Sequence, residues 1–168
     1  LLWLGSDDFV ALDLLLFLIE VATKNEYWSS LKNMYMYDSS LKVMKHFIGY
    51  LPGASLVEHG LGAGRIYTKK ALQSLPEDVF GYNKMSGMDG CLKQALDQLN
   101  VPVNQRLITS SPNKTMFSFK TEQNIWSVND FPPQILHTMD FDFNSANFHW
   151  LDDSVKVMLD MIEPKNLM

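Results

Sequence analysis

Residues 56–64 read Leu56-Val57-Glu58-His59-Gly60-Leu61-Gly62-Ala63-Gly64 and continue into Arg65-Ile66-Tyr67-Thr68-Lys69-Lys70-Ala71-Leu72-Gln73-Ser74-Leu75, with Pro76 next. The short apolar run 54–58 predicts a strand. Glycines at alternate positions permit a tight turn and let backbone amides approach a ligand closely. The stretch 65–75 predicts a helix, whose unpaired first N–H groups and positive dipole end would be aimed at an anion. A strand, a glycine turn and a helix in that order make a cradle for a phosphate or carboxylate.

Working outward, residues 78–82 (DVFGY) predict a second strand and residues 89–99 (DGCLKQALDQL) a second helix ending at Asn100. Strand and helix alternating through short links is the sequence form of a parallel α/β sheet. Upstream, residues 7–23 predict a helix with Ser6 as N-cap and Asp7 and Asp8 in its first turn, where the macrodipole favours acids. This segment is apolar nearly all round, so it is expected to be mostly buried. Residues 24–37 are expected to be helical in part. Asp38-Ser39-Ser40 then predicts the start of another helix, with Leu41, Met44, Phe47 and Ile48 on one face and Pro52-Gly53 at its end.

Between residues 102 and 133 three β-like runs, 105–109, 115–119 and 124–128, replace the βα alternation, and Ser110-Ser111-Pro112-Asn113 suggests a hairpin turn between the first two. The alternation resumes with a strand at 140–145 and a helix at 153–162, and Leu167-Met168 resembles the beginning of one more strand. The expected architecture is α/β: a Rossmann-like, mostly parallel sheet with helices on both faces and an N-terminal helical extension. Residues 1–37 would be the helical cap and residues 38–168 the cofactor-binding domain.

Composition narrows the function. A chain of 168 residues, 46% hydrophobic and 20% charged, has the size and balance of one globular domain, which sets aside disorder, collagen and coiled coil. With 14 Lys and Arg against 19 Asp and Glu, the net charge is -5, which disfavours a broad nucleic-acid surface built from basic residues. The expected ligand is small. Cys91 is the one cysteine, so neither an intramolecular disulfide nor a Cys-rich zinc site can form. The apolar stretch from Phe9 to Ile19 carries Asp13 and falls short of the ~20 residues a spanning helix needs. Acids rather than bases precede it, unlike a secretory signal, and a cytoplasmic protein is expected.

Two cofactor classes use a glycine turn of this kind. A dinucleotide fingerprint wants G-x-G-x-x-G, but Arg65 stands at its third glycine, and Asn83 stands where an acid would hold the ribose. The other class fits better. Residues 56–64 match apolar-apolar-acid-x-G-x-G-x-G, the S-adenosylmethionine motif of class I methyltransferases. Residues 139–153 (MDFDFNSANFHWLDD) are similar to the fourth-strand segment of the small-molecule members, such as the trans-aconitate and juvenile hormone acid types. Residues 157–167 are similar to the helix, turn and fifth strand beyond it. The chain therefore resembles that family over residues 38–168.

The resemblance implies a set of roles. Glu58 would accept hydrogen bonds near the methionine amino group, with Gly60, Gly62 and Gly64 passing beside the carboxylate and sugar. Asn83 takes the place of the ribose acid, and Lys84 or Met85 would lie against the adenine. Asp130 would take the adenine amino group and Phe131 would pack on the ring. Ser145 would face the methyl group, Asn147 and Trp150 the substrate, and His149 could act as general base. Each has a plainer reading beside it: Glu58 as an exposed strand-end acid, Asp130 as a turn residue before Pro132, His149-Trp150 as helix packing, and the glycines as closing a joint. His59 is read as a spacer with a solvent-facing ring. No metal is implied, because methyl transfer from a sulfonium needs positioning and exclusion of water more than acid–base help.

Three functions are expected: methyl transfer from S-adenosylmethionine to a small molecule, with a carboxylate as candidate acceptor; a methyltransferase-like binding or assembly module without catalysis, which Asn83 favours; and, less well supported, an NAD(P)-binding oxidoreductase. Family members continue past the fifth strand, so the domain is expected to be incomplete at its C-terminal end, with an open sheet edge.

Overall fold

The computed structural model describes residues 1–5, 7–24, 28–41, 43–77, 95, 97, 98, 107–111, 114–120 and 128–139. In chain order the elements are β1 (Leu2–Trp3), β2 (Asp8–Val10), α1 (Leu12–Lys24), β3 (Trp28–Leu31), β4 (Met34–Asp38), β5 (Val43–Phe47), β6 (Arg65–Tyr67), α2 (Lys69–Ser74), β7 (Leu107–Ile108), β8 (Met116–Lys120) and β9 (Leu136–Met139), with short 3-10 turns at Val128–Asp130 and Pro133–Ile135. The strands form two mixed sheets, ordered β1-β6-β3-β7 and β2-β8-β4-β5-β9.

This corrects the expected α/β architecture. Among the described residues there is no mostly parallel Rossmann-like sheet with helices on both faces; only β3–β7 and β4–β8 run parallel, and the other pairs are antiparallel. Contacts divide the chain into two units. The first comprises Leu1–Gly5, Leu16–Lys32 and Gly49–Thr109, the second Ser6–Leu15, Asn33–Ile48 and Ser110–Met168.

The reasons for the difference are local. The expected strand 54–58 is a succession of turns, with Val57, His59 and Gly60 donating to carbonyls three or four residues back. The expected helix 65–75 divides at Thr68: residues before it pair with β1 and β3, and its hydroxyl accepts from the Ala71 N–H at 3.1 Å, so it caps the much shorter α2. The helix expected from Asp38 is a hairpin. The Asp38 carboxylate accepts from the N–H groups of Ser40 (3.0 Å) and Leu41 (3.1 Å), the same bonds an N-cap makes, but here they close a turn that sends β5 back along β4. Among its described residues the N-terminal extension is likewise helical only in α1, because β3 occupies Trp28–Leu31 and β4 begins at Met34.

Helix α1 itself begins later than expected. Asp7 lies in a turn and Asp8 opens β2, both ahead of the helix, and the Asp7 carboxylate bonds Lys120 Nζ at 2.9 Å and the Ser118 hydroxyl at 3.2 Å. Burial pushes that carboxyl up, but the bond to Lys120 and its charge, together with the residue's own backbone N–H and the Ser118 hydroxyl, hold the group below its ordinary value. Nor is α1 buried all round. Leu14 and Leu18 are fully buried, whereas Leu12 (66%), Leu16 (56%) and Ile19 (48%) are exposed. No helix among the described residues is long and apolar enough to cross a membrane.

The second unit is organised by a row of rings across its sheet. Residues directly opposite share a face, and the registers place Phe9, Phe117, Tyr35, His46 and His137 side by side across β2, β8, β4, β5 and β9. Tyr35 stacks on His46 at 4.5 Å, and Phe9 meets Phe117 at 6.3 Å. One pleat along, Tyr37 and Phe119 stack at 5.4 Å beside Met44 and Met139. Asn33 ties this sheet to the end of the preceding loop: its carbonyl Oδ1 accepts from the Ser110 N–H at 2.7 Å, and its amide donates to the Ser110 carbonyl at 3.1 Å.

That amide also lies 3.1 Å from His46 Nε2. An Asn amide can only donate, so Nε2 accepts and the ring proton is on Nδ1. Burial, and then the neighbouring His137, hold the His46 imidazolium below its ordinary pKa of 6.5. The unfolded chain therefore takes up this proton before the folded one does, so the neutral ring's contribution is complete above about pH 7 and is lost as the pH falls through 6.5 toward the folded value. Urea unfolding between pH 7.5 and 5 is expected to show stability falling with pH, and His46→Gln is expected to flatten that slope; an unchanged slope would remove His46 as its source.

Candidate functional site

The glycine turn sits in the first unit and leads into a strand. Leu56 accepts from both His59 and Gly60, each at 3.0 Å, closing a single helical turn that Gly60 ends in the left-handed region at φ +63°. The next amide, Leu61 N–H, donates to the Leu31 carbonyl of β3 at 2.8 Å, and Ser30 Oγ donates to the Leu61 carbonyl at 2.5 Å. A Cβ built on Gly60 would lie 2.5 Å from the Leu31 oxygen, 2.8 Å from Ser30 Oγ and 2.9 Å from a Leu107 methyl. Gly60 is thus required for the turn to seat on β3. Gly64, also left-handed at φ +72°, donates to the Trp3 carbonyl at 2.8 Å as the chain enters β6.

Seating the turn this way places His59 against Trp28. The two rings stack at 5.7 Å and 11°, and His59 Nε2 lies 2.8 Å from Asp97 Oδ1. The Arg65 guanidinium lies 5.5 Å from the Trp28 ring centre and also donates to the His59 carbonyl at 3.4 Å. Trp28, His59 and Arg65 are all 2% exposed or less. Tyr67 and Ala71 are buried with Trp28, and Trp3, Leu72 and Leu75 pack against them. A histidine paired with a carboxylate can shuttle a proton. This pair meets solvent through Asp97, whose side chain is 44% exposed, while the ring is closed off. The contact from His59 to β3 is the stack on Trp28.

Of the residues expected to bind the cofactor, Glu58 is exposed on the last turn before His59, Gly62 is half-buried at a bend, and Gly60 and Gly64 are buried. The turn has no helix beginning behind it, because Arg65–Tyr67 is strand and α2 starts at Lys69. The device that would aim free N–H groups at an anion is therefore missing from these residues. Asp130 and Phe131 belong to the second unit, Asp130 exposed on a 3-10 turn and Phe131 edge-on to Phe47 at 5.6 Å. Asn83, Lys84, Met85, Ser145, Asn147, His149 and Trp150 lie outside the described residues.

Sequence reasoning missed the buried stack. His59 is not the solvent-facing spacer expected, and Arg65, taken for the first residue of a helix, is an interior cation. The available signal was Thr68, a capping residue ahead of Lys69-Lys70-Ala71, which moves the helix start and leaves Arg65-Ile66-Tyr67 free to be strand. Nothing near His59 in the chain points to Trp28 or Asp97. Comparison with known proteins adds no relative: no family model, curated protein or solved structure matches this chain.

Two substitutions separate conformational strain from close packing. Gly53 is also left-handed, at φ +89°, but has nothing within 4 Å of a built Cβ. Gly53→Ala is expected to cost about 1–2 kcal/mol, the strain of a left-handed Ala. Gly60→Ala carries the same strain plus about 1–3 kcal/mol of overpacking. Urea unfolding of both variants checks this; equal losses would show that the turn is not seated on β3 as described.

Proposed function

We propose that this chain is a binding module that docks another polypeptide on the surface of α1, with no catalytic step of its own. The observation that carries this reading is the row Leu12, Leu16 and Ile19, three large apolar side chains exposed at successive turns of one helix whose opposite face holds Leu14 and Leu18 in the interior. Single exposed hydrophobics are common on protein surfaces, but a contiguous set marks a place where another molecule is held. The glycine turn supports the same reading from the other side, since its left-handed glycines and buried ring stack are occupied in holding the fold.

Methyl transfer from S-adenosylmethionine is the second reading, and the observation favouring it is the nine-residue match at Leu56–Gly64. Calorimetric titration with S-adenosylmethionine and S-adenosylhomocysteine separates the two. Neither ligand is expected to give binding heat. Tight binding of the homocysteine form, abolished by Gly62→Val, would establish the methyltransferase reading instead.

The docking surface has its own test in stability. If the α1 row is free to receive a partner, the variant carrying Leu12→Gln, Leu16→Gln and Ile19→Gln loses little, since surface substitutions cost within about 0.5 kcal/mol each. If the row is packed inside the fold, truncation-like losses of about 2–5 kcal/mol per site are expected, and the binding-module reading fails. Urea unfolding of the triple variant reads this directly.

A further inference from the structure

The spacing and charge of α1 say what kind of partner the row takes. Leu12, Leu16 and Ile19 are separated by four and three residues, the alternation of a helix-pairing seam, with Leu14 and Leu18 on the far side. The helix has 13 residues, about 20 Å of length, so the seam spans under two heptads. Alongside it, Asp13 and Glu20 are seven residues apart and therefore share one flank, the position from which charged side chains reach across to a paired helix. Both are exposed. Lys24, the base in the last turn, forms an i, i+4 ion pair with Glu20 and offsets its charge, so Asp13 is the acid of this flank that stands away from any base of α1. On the seam's other flank are Leu15 and Ala22, without charge.

We infer that α1 receives an amphipathic helix of another protein, with Leu or Ile along its seam and Lys or Arg beside it; this rests on the binding-module reading above. The acidic flank is what selects the partner's sign. A second copy of this chain would bring Asp13 and Glu20 of both copies to the same seam, and its net charge of -5 adds to that repulsion. A basic helix meets the same acids with attraction, while the apolar rows bury each other. A seam this short gives a weak, reversible complex whose strength falls with salt.

The test uses the whole chain and two labelled probe peptides of three heptads, each with Leu at both seam positions, one with Lys and the other with Glu at both flanking positions. Fluorescence anisotropy is expected to give micromolar binding of the Lys peptide and at least tenfold weaker binding of the Glu peptide. The doubly reversed chain, Asp13→Lys with Glu20→Lys, is expected to exchange that preference. The Gln triple variant, folded by its unchanged urea midpoint, is expected to bind neither. Failure of the Lys peptide to bind, or a preference unmoved by charge reversal, overturns the basic partner. Equal binding of both peptides that the triple variant abolishes also overturns it, while leaving the binding module standing. Sedimentation showing a micromolar dimer that the triple variant dissolves would assign the row to a second copy.

Discussion

The Leu31 carbonyl is the contact on which the first unit depends. It takes the Leu61 N–H at 2.8 Å and stands 2.5 Å from where a side chain at Gly60 would begin. That seat allows no Cβ, and it fixes where the residues on either side must go. His59 falls under Trp28 and within reach of Asp97, and Arg65 enters β6 with its guanidinium against the same indole. A glycine spacing that serves cofactors in other folds thus serves here to bring one stretch of backbone onto another. Glycine's lack of a side chain is common to both uses. The occupant differs: in a cofactor cradle a ligand fills the space, and here the main chain of β3 does.

How much was legible depended on whether a local signal had one meaning or two. Strand β7 lies within the β-like run 105–109, β8 matches the run 115–119 but extends one residue further to Lys120, and most of α1 lies within the helix read over 7–23, because each has a plain apolar pattern. Ser111 and Lys114 form an antiparallel bridge across the expected turn, but among the described residues β7 pairs with β3 and β8 with β2 and β4 rather than with each other. Asp38 offered identical chemistry for a helix start and for a hairpin turn, and the stripe Leu41, Met44, Phe47 did not decide between them. The alternating Met34-Tyr35-Met36-Tyr37 was the better guide, as β-rich residues buried on both faces of a central strand. The glycine spacing over residues 60–64 signals a tight turn, and the chain does turn there. The strand β6 and the short capped helix α2 come after it, so the helix N-terminus that would have made the turn a cradle is not behind it.

The second unit shows a different economy. Its ring row crosses all five strands, and burial holds one member near its end, His46, below the ordinary imidazole pKa. His46 is fixed as an acceptor by Asn33, itself locked by Ser110, so a proton arriving there would set an N–H against an N–H. The carboxylate that balances a half-buried cation elsewhere in the unit, Asp7 with Lys120, sits toward the opposite edge of the sheet. Electrostatic responses of this sheet are therefore divided: acid below neutrality acts at His46, and far lower pH at Asp7.

The parallel pairing of β4 with β8 carries a consequence for how the chain is made. Tyr37 lies opposite Phe119, about 80 residues later in the sequence, and ordering so long a loop before the contact rewards it is slow. During synthesis at roughly 5–20 residues per second, Met34-Tyr35-Met36-Tyr37 leaves the ribosome several seconds before β8 exists to cover it. For that interval the hairpin of β4 and β5 presents an unpaired apolar strand, the kind of edge that chaperones bind and aggregates recruit. The yield of folded protein is then governed by the waiting time for β8 as much as by the stability of the finished sheet.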